Sequence, residues 1–339
     1  MIPDSFSPSP KVAVLGSGSW GTALASLLAS AASSVVLIGR NPEVIEDINT
    51  NHRNNRYLPN LTFAPNITAT SELRDAIDAD VVLFVVPSSA TRAMAEKVAA
   101  LAPNPDAIMI ACSKGIELGT GKRMSEIIGE QLPDHRLAVL SGPNHAEEVS
   151  RGLATATVIG ATDPAVSAYL QELFTAPTFR SYTGDDLAGI EWGGAIKNVF
   201  AIASGIATGL GLGDNATAGL VTRGLAEMIR LGTALGGRPD TFVGLSGVGD
   251  LIATCYSHHS RNFRAGISIG KGHTVQETLD AEGMVVEGIP NCQSIHEAAH
   301  RAGVRTPLID ALYAVLYEDK SPAVALQELL TRRPRSEND

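Results

Sequence analysis

The stretch KVAVLGSGSWGTALASLLASAASSVVLIGR, residues 11–40, decides the fold of the N-terminal half. Within it, 28 consecutive residues (12–39) carry no charge, a length that could in principle cross a membrane. Glycine and serine, however, divide it into a short β-branched run, a segment rich in alanine and leucine, and a second β-branched run. We therefore expect a buried strand, a helix and a second buried strand, which together form a βαβ unit.

The glycines of GSGSWG, residues 16–21, stand where the first strand ends and the helix begins. In this position Gly16 permits a tight turn, Gly18 lets a pyrophosphate approach the backbone, and Gly21 lets the helix pack on the strand. The unpaired N–H groups of the helix N-terminus then face the anion. A tight βα turn alone would also use these glycines, but the strands and helix around them favour a dinucleotide-binding site.

The residue after the second strand normally helps to choose between NAD and NADP. An acidic residue there binds the ribose 2′-hydroxyl of NAD, whereas this chain has Gly39 and Arg40. Arg40 could stack on the adenine and face a 2′-phosphate, or it could be a solvated loop arginine. We expect the site to accept both NAD and NADP.

Strand and helix patterns continue to alternate as far as about residue 183. Residues 78–88, 107–115, 137–143 and 154–160 predict strands, and residues 90–102 and 164–174 predict helices. From about residue 185 the strand patterns fade and long segments rich in alanine and leucine follow. These predict helices over residues 187–210, 216–235, 240–255, 294–302 and 307–317.

Alternating strands and helices followed by helices alone predict two domains. Residues 1–186 are expected to form an α/β domain with a doubly wound parallel sheet, and residues 187–339 an all-α domain. No linker rich in proline and serine joins the two parts. We therefore expect them to pack closely, with a cleft between them.

The composition argues against several classes of protein. With 44% hydrophobic and 18% charged residues among 339, the chain is expected to be globular, and its net charge of −10 argues against a nucleic-acid partner. Its three cysteines have no metal-binding or CxxC spacing, which predicts free thiols in a reducing compartment. The N-terminal residues lack the basic and apolar parts of a secretory signal, so we expect a cytoplasmic protein without a membrane span.

Lys197 is the only charged residue between Glu191 and Asp214, in a run of glycine, alanine and aliphatic residues. Burial of an ammonium group is unfavourable and lowers its pKa towards neutrality. Either the side chain extends to water along the apolar surface, or a functional site uses the amine. The residues of this helix alone leave both explanations open.

Two polar segments follow predicted strands on the side of the sheet where doubly wound folds bind ligands. Lys114 lies in CSKG, and Gly142, Asn144 and Ala146 lie in SGPNHAEE. A single lysine could be an ordinary surface residue, but its position after a strand also suits a site in the cleft.

The helical half contains two further candidates. Asp250 is the one carboxylate in GLSGVGDLIATC, and it is either a helix N-cap or a functional group. The tripeptide SRN, residues 260–262, offers a guanidinium and neutral donors that suit a phosphate. His258 and His259 are adjacent, without helical i, i+4 spacing or an acidic partner, so we expect no metal there.

Taken together, these segments resemble the bacterial NAD(P)-dependent sn-glycerol-3-phosphate dehydrogenases. The resemblance rests on GSGSWGTALA, SKGIE, SGPNHAEEV, MVVEGI and the block from residue 193 to residue 262, and it extends from residue 11 to about residue 316. It implies a Rossmann domain, a helical C-terminal domain, and interconversion of glycerol 3-phosphate with dihydroxyacetone phosphate, which supplies phospholipid synthesis. It also implies a homodimer that forms through the helical domain.

The resemblance assigns roles to individual residues. Lys197 would be the general base, Lys114 would polarise the same substrate oxygen, and Asp250 and Thr254 would orient the two lysines. The substrate would contact Lys114, Gly142, Asn144, Lys197, Asp250, Ser260, Arg261 and Asn262. The cofactor would contact Gly16, Gly18, Ser19, Trp20, Gly21, Arg40, Lys114, Ala146, Arg261, Val285 and Glu287. No metal is expected to take part.

The chain departs from the family pattern at one place. Where the family usually has serine or threonine followed by phenylalanine, this chain has Asn144 and His145. Asn144 keeps a hydrogen-bond donor and acceptor, whereas His145 replaces an apolar ring with a titratable group.

Two other functions fit part of the pattern. A β-hydroxyacid or 6-phosphogluconate-type dehydrogenase would share the two domains and a helix lysine, but would need a pocket for a carboxylate. A dinucleotide-binding sensor without turnover would have no need for Lys197, Asp250 and Arg261 together.

Overall fold

A computed structural model describes residues 6–334, 336 and 337; the first five residues, on which the expectation of no secretory signal partly rests, lie outside this range. The described residues form ten strands: β1 Lys11–Leu15, β2 Ser34–Ile38, β3 Arg53–Asn54, β4 Leu58–Thr62, β5 Ile67–Thr70, β6 Val81–Phe84, β7 Ile108–Ala111, β8 Arg136–Ser141, β9 Thr155–Ala161 and β10 Phe179–Gly184.

The helices of the N-terminal half are α1 Ser19–Leu28, α2 Pro42–Asn51, α3 Thr91–Ala100, α4 Met124–Gln131, α5 Ala146–Val149 and α6 Pro164–Phe174. Those of the C-terminal half are α7 Leu187–Gly209, α8 Asp214–Ala234, α9 Pro239–Phe242, α10 Asp250–Tyr256, α11 Arg261–Gly270, α12 Val275–Glu282, α13 Gly288–Arg301, α14 Pro307–Tyr317 and α15 Pro322–Leu330. The predicted fold class, an α/β doubly wound domain followed by an all-α one, is confirmed.

Eight strands form one sheet in the order β10-β9-β8-β7-β6-β1-β2-β5. The chain starts at β1, moves outward to β2, and returns to β6 on the other side of β1, which creates a switch point between β1 and β6. The six strands from β8 to β5 in this order are parallel to one another. β9 pairs antiparallel with β8, and β10 pairs parallel with β9. The predicted parallel sheet therefore ends at β8, and β9 departs from it because only the one-turn helix α5 separates β8 from β9.

The alternation of side chains in β1 places helices on both faces of the sheet. Val12 and Val14 pack with α1, α2 and α6 in one core cluster. Ala13 and Leu15 pack with α3 and α4 in the other. Since both faces are covered, the strand is apolar along nearly its whole length.

Helix α7 is the centre of the C-terminal half, and its predicted extent differs from the observed one by a single residue. It packs against α8, α10, α11 and α13 in a third core cluster. The single helix predicted over residues 240–255 is wrong. The segment contains α9, a π-helical turn over Leu245–Gly249, and α10. A Cβ at Gly247 would lie 2.0 Å from the carbonyl oxygen of Phe242, so the glycine permits a tight turn that a regular helix would not contain.

No helix in the described part of the chain has both the length and the apolar character needed to cross a membrane. The uncharged stretch 12–39 forms β1, α1 and β2, as predicted.

Candidate active site

The glycine loop forms the tight turn that its sequence predicts. Gly16 has φ +126°, in the left-handed region, and a Cβ there would lie 2.8 Å from the carbonyl oxygen of Val85. A Cβ at Gly21 would lie 1.8 Å from the carbonyl oxygen of Gly16. Packing against the segment after β6 therefore requires Gly16, and packing within the loop requires Gly21.

Gly18 differs, because a Cβ there would meet no atom of a described residue within 4 Å. In this part of the chain, the helix that follows it, α1, has neither a side-chain cap at its N-terminus nor an acidic residue in its first turn. Ser19 begins this helix, and the buried Nε1 group of Trp20 has no hydrogen-bond partner among the residues that the structure describes. Open space beside unpaired donors suits the pyrophosphate of a dinucleotide, so the residues present fit the predicted cofactor.

Arg40 lies just beyond β2, at the neighbouring carboxyl end of the sheet. It is exposed, and no partner of its side chain occurs in the part of the chain that the structure describes. A Cβ at Gly39 would lie 2.4 Å from the hydroxyl oxygen of Ser17. A larger side chain at position 39 would therefore require Ser17 to move, and the next residue supplies a cation.

Two lysines meet one carboxylate beyond β7 and β8. The Lys197 ammonium donates to Oδ1 of Asp250 at 2.9 Å and to the Thr254 hydroxyl at 2.7 Å. The Lys114 ammonium donates to Oδ2 of Asp250 at 2.7 Å and to the carbonyl oxygen of Gly142 at 2.8 Å. Asp250 is 1% exposed and Lys197 5%, so the pair is almost dry. The structure thus brings together all four residues predicted to be catalytic.

Glycines beside Lys197 permit the close approach of these elements. A Cβ at Gly193 would lie 2.8 Å from the carbonyl oxygen of Ser246, in the π-helical turn that precedes Asp250. A Cβ at Gly194 would lie 2.7 Å from the hydroxyl oxygen of Ser141, at the end of β8. Because these two positions of α7 carry no side chain, the helix packs closely against both the π-helical turn and the end of β8. Lys197, one turn further along, therefore lies near both.

The electrostatics of this cluster favour a lysine that can exchange a proton. Burial lowers the pKa of Lys197 to about 8; Lys114 acts in the same direction, and Asp250 opposes the shift. Burial alone would raise the pKa of Asp250, but the two lysines hold it below its usual range. With both lysines protonated, the cluster carries a net positive charge, which favours a substrate oxygen that develops negative charge.

The N-terminus of α11 lies next to Lys197 along α7. Asn262 donates to the side-chain oxygen of Asn198 at 2.9 Å and accepts from the backbone N–H of Gly288 at 2.8 Å. Ser260 caps the helix by accepting from Phe263. The backbone N–H groups at residues 261 and 262 donate to no described residue. Free donors at a helix N-terminus, beside the Arg261 guanidinium, suit a phosphate.

Arg261 and Glu287 bring the helical half close to the sheet. The guanidinium of Arg261 donates to the carbonyl oxygen of Val285 at 2.9 Å. The carboxylate of Glu287 accepts from the backbone N–H of Ser88 at 3.0 Å and from its hydroxyl at 2.5 Å. Burial raises the pKa of Glu287, and the Ser88 bonds oppose that shift. The segment around residues 285–287 therefore connects the loop after β6 to α11.

The loop after β8 contains the substitutions that depart from the family pattern. Asn144 turns its side chain towards β9, where it donates to the carbonyl oxygen of Ala156 at 3.0 Å and accepts from Thr157. His145 is half-buried, with Nε2 3.3 Å from the carbonyl oxygen of Ala253. Burial, and then the nearby Lys197, lower the pKa of His145, so its ring is neutral near pH 7. Ala146 is buried at the start of α5.

The described contacts do not join the glycine loop directly to the lysine cluster. The loop follows β1 and the cluster lies beyond β7 and β8, with β6 between them in the sheet. Both groups nevertheless lie at the carboxyl ends of parallel strands of the same sheet, where ligands bind in this kind of fold.

Several residues that are not among the predicted ones also support the site. Asn198 bridges to Asn262, and it could have been noticed because it directly follows Lys197. Asn291 donates to the carbonyl oxygen of Lys114 at 3.0 Å, although 177 residues separate the two. Ser88 and Glu287 bind each other although they, too, lie far apart in the sequence. No local pattern marks the last two, because their partners are defined only by the tertiary fold.

A glycine loop at the switch point of a doubly wound sheet, together with a buried lysine–carboxylate cluster on adjoining helices, defines an NAD(P)-dependent dehydrogenase. Two family models match the chain: the N-terminal part of NAD-dependent glycerol-3-phosphate dehydrogenase over residues 11–167, and its C-terminal part over residues 186–327. This chain belongs to the NAD-dependent glycerol-3-phosphate dehydrogenase family.

Individual relatives agree over nearly the full length. A glycerol-3-phosphate dehydrogenase (NAD(P)+) from Enterococcus faecalis is 48% identical over 97% of this chain and 98% of its own. The crystal structure of glycerol-3-phosphate dehydrogenase from Coxiella burnetii superposes with a TM-score of 0.92 at 37% identity, over 96% of this chain and 100% of the other. A PanE/ApbA family ketopantoate reductase from Ralstonia eutropha reaches a TM-score of 0.61 at 20% identity over 93% of this chain, which shows a shared fold alone.

Proposed function

We propose that this protein interconverts sn-glycerol 3-phosphate and dihydroxyacetone phosphate, with NAD or NADP as the cofactor. The observation that carries this proposal is the Lys197 ammonium, held at 2.9 Å from Asp250 and 2.7 Å from Thr254 in a nearly dry pocket. The bound dinucleotide supplies the hydride chemistry at C2 of the substrate.

Lys197 handles the proton of the reaction. In the oxidative direction its neutral amine accepts the C2 hydroxyl proton, and in the reductive direction its ammonium returns a proton to that oxygen. Lys114 polarises the same oxygen. Asp250 accepts from both lysines and fixes their positions, while the Thr254 hydroxyl, 3.1 Å from Asp250, completes the ring of bonds around Lys197.

The substrate phosphate binds at the start of α11. Arg261 provides a permanently charged planar donor, and the free N–H groups of the helix provide neutral ones. Ser260 and Asn262 shape this side of the pocket, and Gly142 and Asn144 shape the side formed by β8. Since the side chain of Asn144 already bonds to β9, its contribution comes from its remaining N–H group or its backbone.

The cofactor would be held at the carboxyl ends of β1 and β2. Gly18 and the start of α1 would bind its pyrophosphate, and Arg40 would bind its adenosine end. The residues that hold it are those that the family resemblance indicates: Gly16, Gly18, Ser19, Trp20, Gly21, Arg40, Lys114, Ala146, Arg261, Val285 and Glu287.

We also propose the organisation in which this activity operates. The chain divides between residues 186 and 187 into a nucleotide-binding domain and a helical domain that carries the base, a division supported by the separate family matches on either side. The protein acts in the cytoplasm as a homodimer formed through the helical domain, and it supplies glycerol 3-phosphate for phospholipid synthesis. Light scattering after gel filtration measures the oligomeric state.

A substrate panel tests the activity itself. The purified protein should oxidise NADH or NADPH, seen as loss of absorbance, when dihydroxyacetone phosphate is added. Dihydroxyacetone without the phosphate should react far more slowly, and 2-oxo acids should not react. Reduction of a 2-oxo acid at the higher rate would instead identify a hydroxyacid dehydrogenase, and no turnover with any substrate would identify a dinucleotide-binding protein.

The Arg261→Ala variant sharpens this test. Loss of a charge-assisted bond to the phosphate should cost about 1.5–3 kcal/mol in kcat/KM for dihydroxyacetone phosphate. The slow rate with dihydroxyacetone should fall much less, because there Arg261→Ala removes only the cofactor contact of this residue. Equal losses with both substrates would mean that Arg261 supports the fold or the cofactor, for example through its bond to Val285.

A further inference from the structure

Three metal-ligating side chains converge on the surface of the helical half, outside the catalytic pocket. His296 and His300 are four positions apart on α13, so their rings lie on one face of the helix. Asp310, in the first turn of α14, faces them. Its Oδ1 atom lies 3.6 Å from Nε2 of His296 and 3.6 Å from Nε2 of His300.

These distances come close to those of a metal-bound set. Zinc bonds of about 2.0–2.2 Å to imidazole nitrogen and carboxylate oxygen place tetrahedral ligands about 3.4 Å apart. The ligand atoms of the three residues lie within 4.8 Å of one another. The side chain of His300 is 63% exposed, so a change of its torsion angles can close the remaining gap.

Neighbouring side chains hold two of the three ligands in place. The ring of Tyr313 stacks on that of His296, with centroids 3.9 Å apart and planes 5° from parallel. The Thr306 hydroxyl donates to Oδ1 of Asp310 at 3.3 Å. Such support from outside the ligand set orients ligands in protein metal sites.

We propose that His296, His300 and Asp310 form a binding site for a divalent transition-metal ion of the zinc type. Two imidazoles at i, i+4 and one carboxylate suit Zn²⁺, Cu²⁺ or Ni²⁺, whereas Mg²⁺ and Ca²⁺ prefer sets made of oxygen ligands. Solvent reaches the site and supplies the remaining ligand. The bound ion connects α13 to α14, and this property is independent of the proposed enzymatic activity.

The connection matters because α13 also carries residues that support the active site. Its Asn291 binds the Lys114 segment, and Glu287, just before the helix, binds Ser88. An ion that joins α13 to α14 therefore stabilises the helix that supports the Lys114 loop. We expect the bound metal to raise the melting temperature of the protein.

The test uses the untagged full-length protein in metal-free buffer at pH 7.5. Isothermal titration with Zn²⁺ should show one site per chain, and Zn²⁺ should raise the melting temperature while Mg²⁺ should not. His300→Ala and Asp310→Asn should each raise the Kd about tenfold or more, since even loss of an outer-shell partner weakens metal sites by that factor. His273→Ala removes an exposed histidine elsewhere and is the matched control.

Cu²⁺ provides a second readout that does not depend on stability. Its electron paramagnetic resonance spectrum should show coupling to two imidazole nitrogens in the wild type and to one in His300→Ala. Wild-type turnover of His300→Ala in metal-free buffer checks that the variant is folded. Zinc affinity unchanged in both ligand variants, or an equal loss in His273→Ala, would overturn the proposal.

Discussion

Lys197 occupies a position where a charged group is costly, and its surroundings compensate only part of that cost. Burial in a low-dielectric environment disfavours the ammonium, while Asp250 and Thr254 each accept a hydrogen bond from it. Lys114 reaches the other oxygen of the same carboxylate, so one negative charge serves two positive ones. The resulting pKa of about 8 for Lys197 places both protonation states within reach at neutral pH.

We expect Lys197→Met to lower kcat by about 10²–10⁴ while dinucleotide affinity stays the same, because the variant keeps the length of the side chain but has no proton to exchange. Oxidation of glycerol 3-phosphate needs the neutral amine, so in the wild type its kcat/KM should rise with pH and level off above about 8. The reductive kcat/KM should fall over the same range. Steady-state kinetics measure both, with the exposed Lys271→Met as control. Near-normal turnover in Lys197→Met would exclude this lysine as the base.

Arg40 is expected to determine tolerance of NADP, because its exposed guanidinium follows β2 where NAD-specific folds have a carboxylate. Arg40→Asp sets a negative charge against the 2′-phosphate, so kcat/KM with NADPH should fall by about tenfold or more relative to NADH. Arg180→Asp makes the same charge change at an exposed position of β10, at the far edge of the sheet. It should leave the ratio of kcat/KM for the two cofactors unchanged. An equal fall of kcat/KM with NADH and with NADPH would show that Arg40 does not contact this phosphate.

At the scale of elements, the crossing of α7 and α11 positions the phosphate site beside the base. A Cβ at Gly205 of α7 would lie 2.1 Å from the carbonyl oxygen of Phe263, and a Cβ at Gly266 of α11 would lie 2.1 Å from that of Ile202. Gly209 and Gly270 repeat the arrangement one turn later. The two helices thus approach backbone to backbone. This contact brings the first turn of α11 to Asn198, which directly follows Lys197.

Gly205→Ala should therefore lower the free energy of unfolding by roughly 1–3 kcal/mol, since backbone atoms must move to admit the methyl group. It should also raise KM for dihydroxyacetone phosphate, because α11 carries the phosphate site. Gly219→Ala lies in the interior of α8, and the added Cβ would meet no atom of a described residue within 4 Å, so it should instead stabilise the protein by roughly 0.5–1 kcal/mol. Urea titrations compare the two. A Gly205→Ala variant as stable as Gly219→Ala would contradict the close crossing.

The same glycines explain why part of the helical half could not be predicted from the sequence. The segment RNFRAGISIG forms α11, but glycine is a poor helix former, so no helix was predicted there. The glycines of α11 are favourable only because they allow α7 to pack closely against this helix. By contrast, α7, β1 and α1 were predictable because their apolar runs and glycine loop are local patterns. In the site, Lys197 and Asp250 stand out as isolated charges, whereas Asn291 and Ser88 do not.

At the scale of the whole molecule, α7 joins the sheet to the helical half. Ile190, in its first turn, belongs to the core cluster on one face of the sheet, whereas Trp192 belongs to the helical core. Between them, Glu191 accepts from Arg123 at 2.7 Å and from the backbone N–H of Ser125 at 2.8 Å, both at the start of α4. The side chain of Glu191 is 7% exposed. The two cores therefore meet along one continuous helix, which a buried ion pair joins to the start of α4.

This arrangement predicts that the two halves unfold together, and the two tryptophans of the chain can test it. Trp192→Phe leaves Trp20 as the fluorescent probe of the sheet, and Trp20→Phe leaves Trp192 as the probe of the helices. Their urea midpoints should coincide. Adding Glu191→Ala leaves Arg123 with only the more exposed Glu126 as a partner and removes the acceptor of the Ser125 backbone N–H, which together should cost about 3 kcal/mol and lower both midpoints together. Glu328→Ala breaks an exposed pair with Lys320 and should cost less than about 1 kcal/mol. A fall in one midpoint alone would mean that α7 does not couple the halves, because a pair that stabilises a shared core must affect both probes equally.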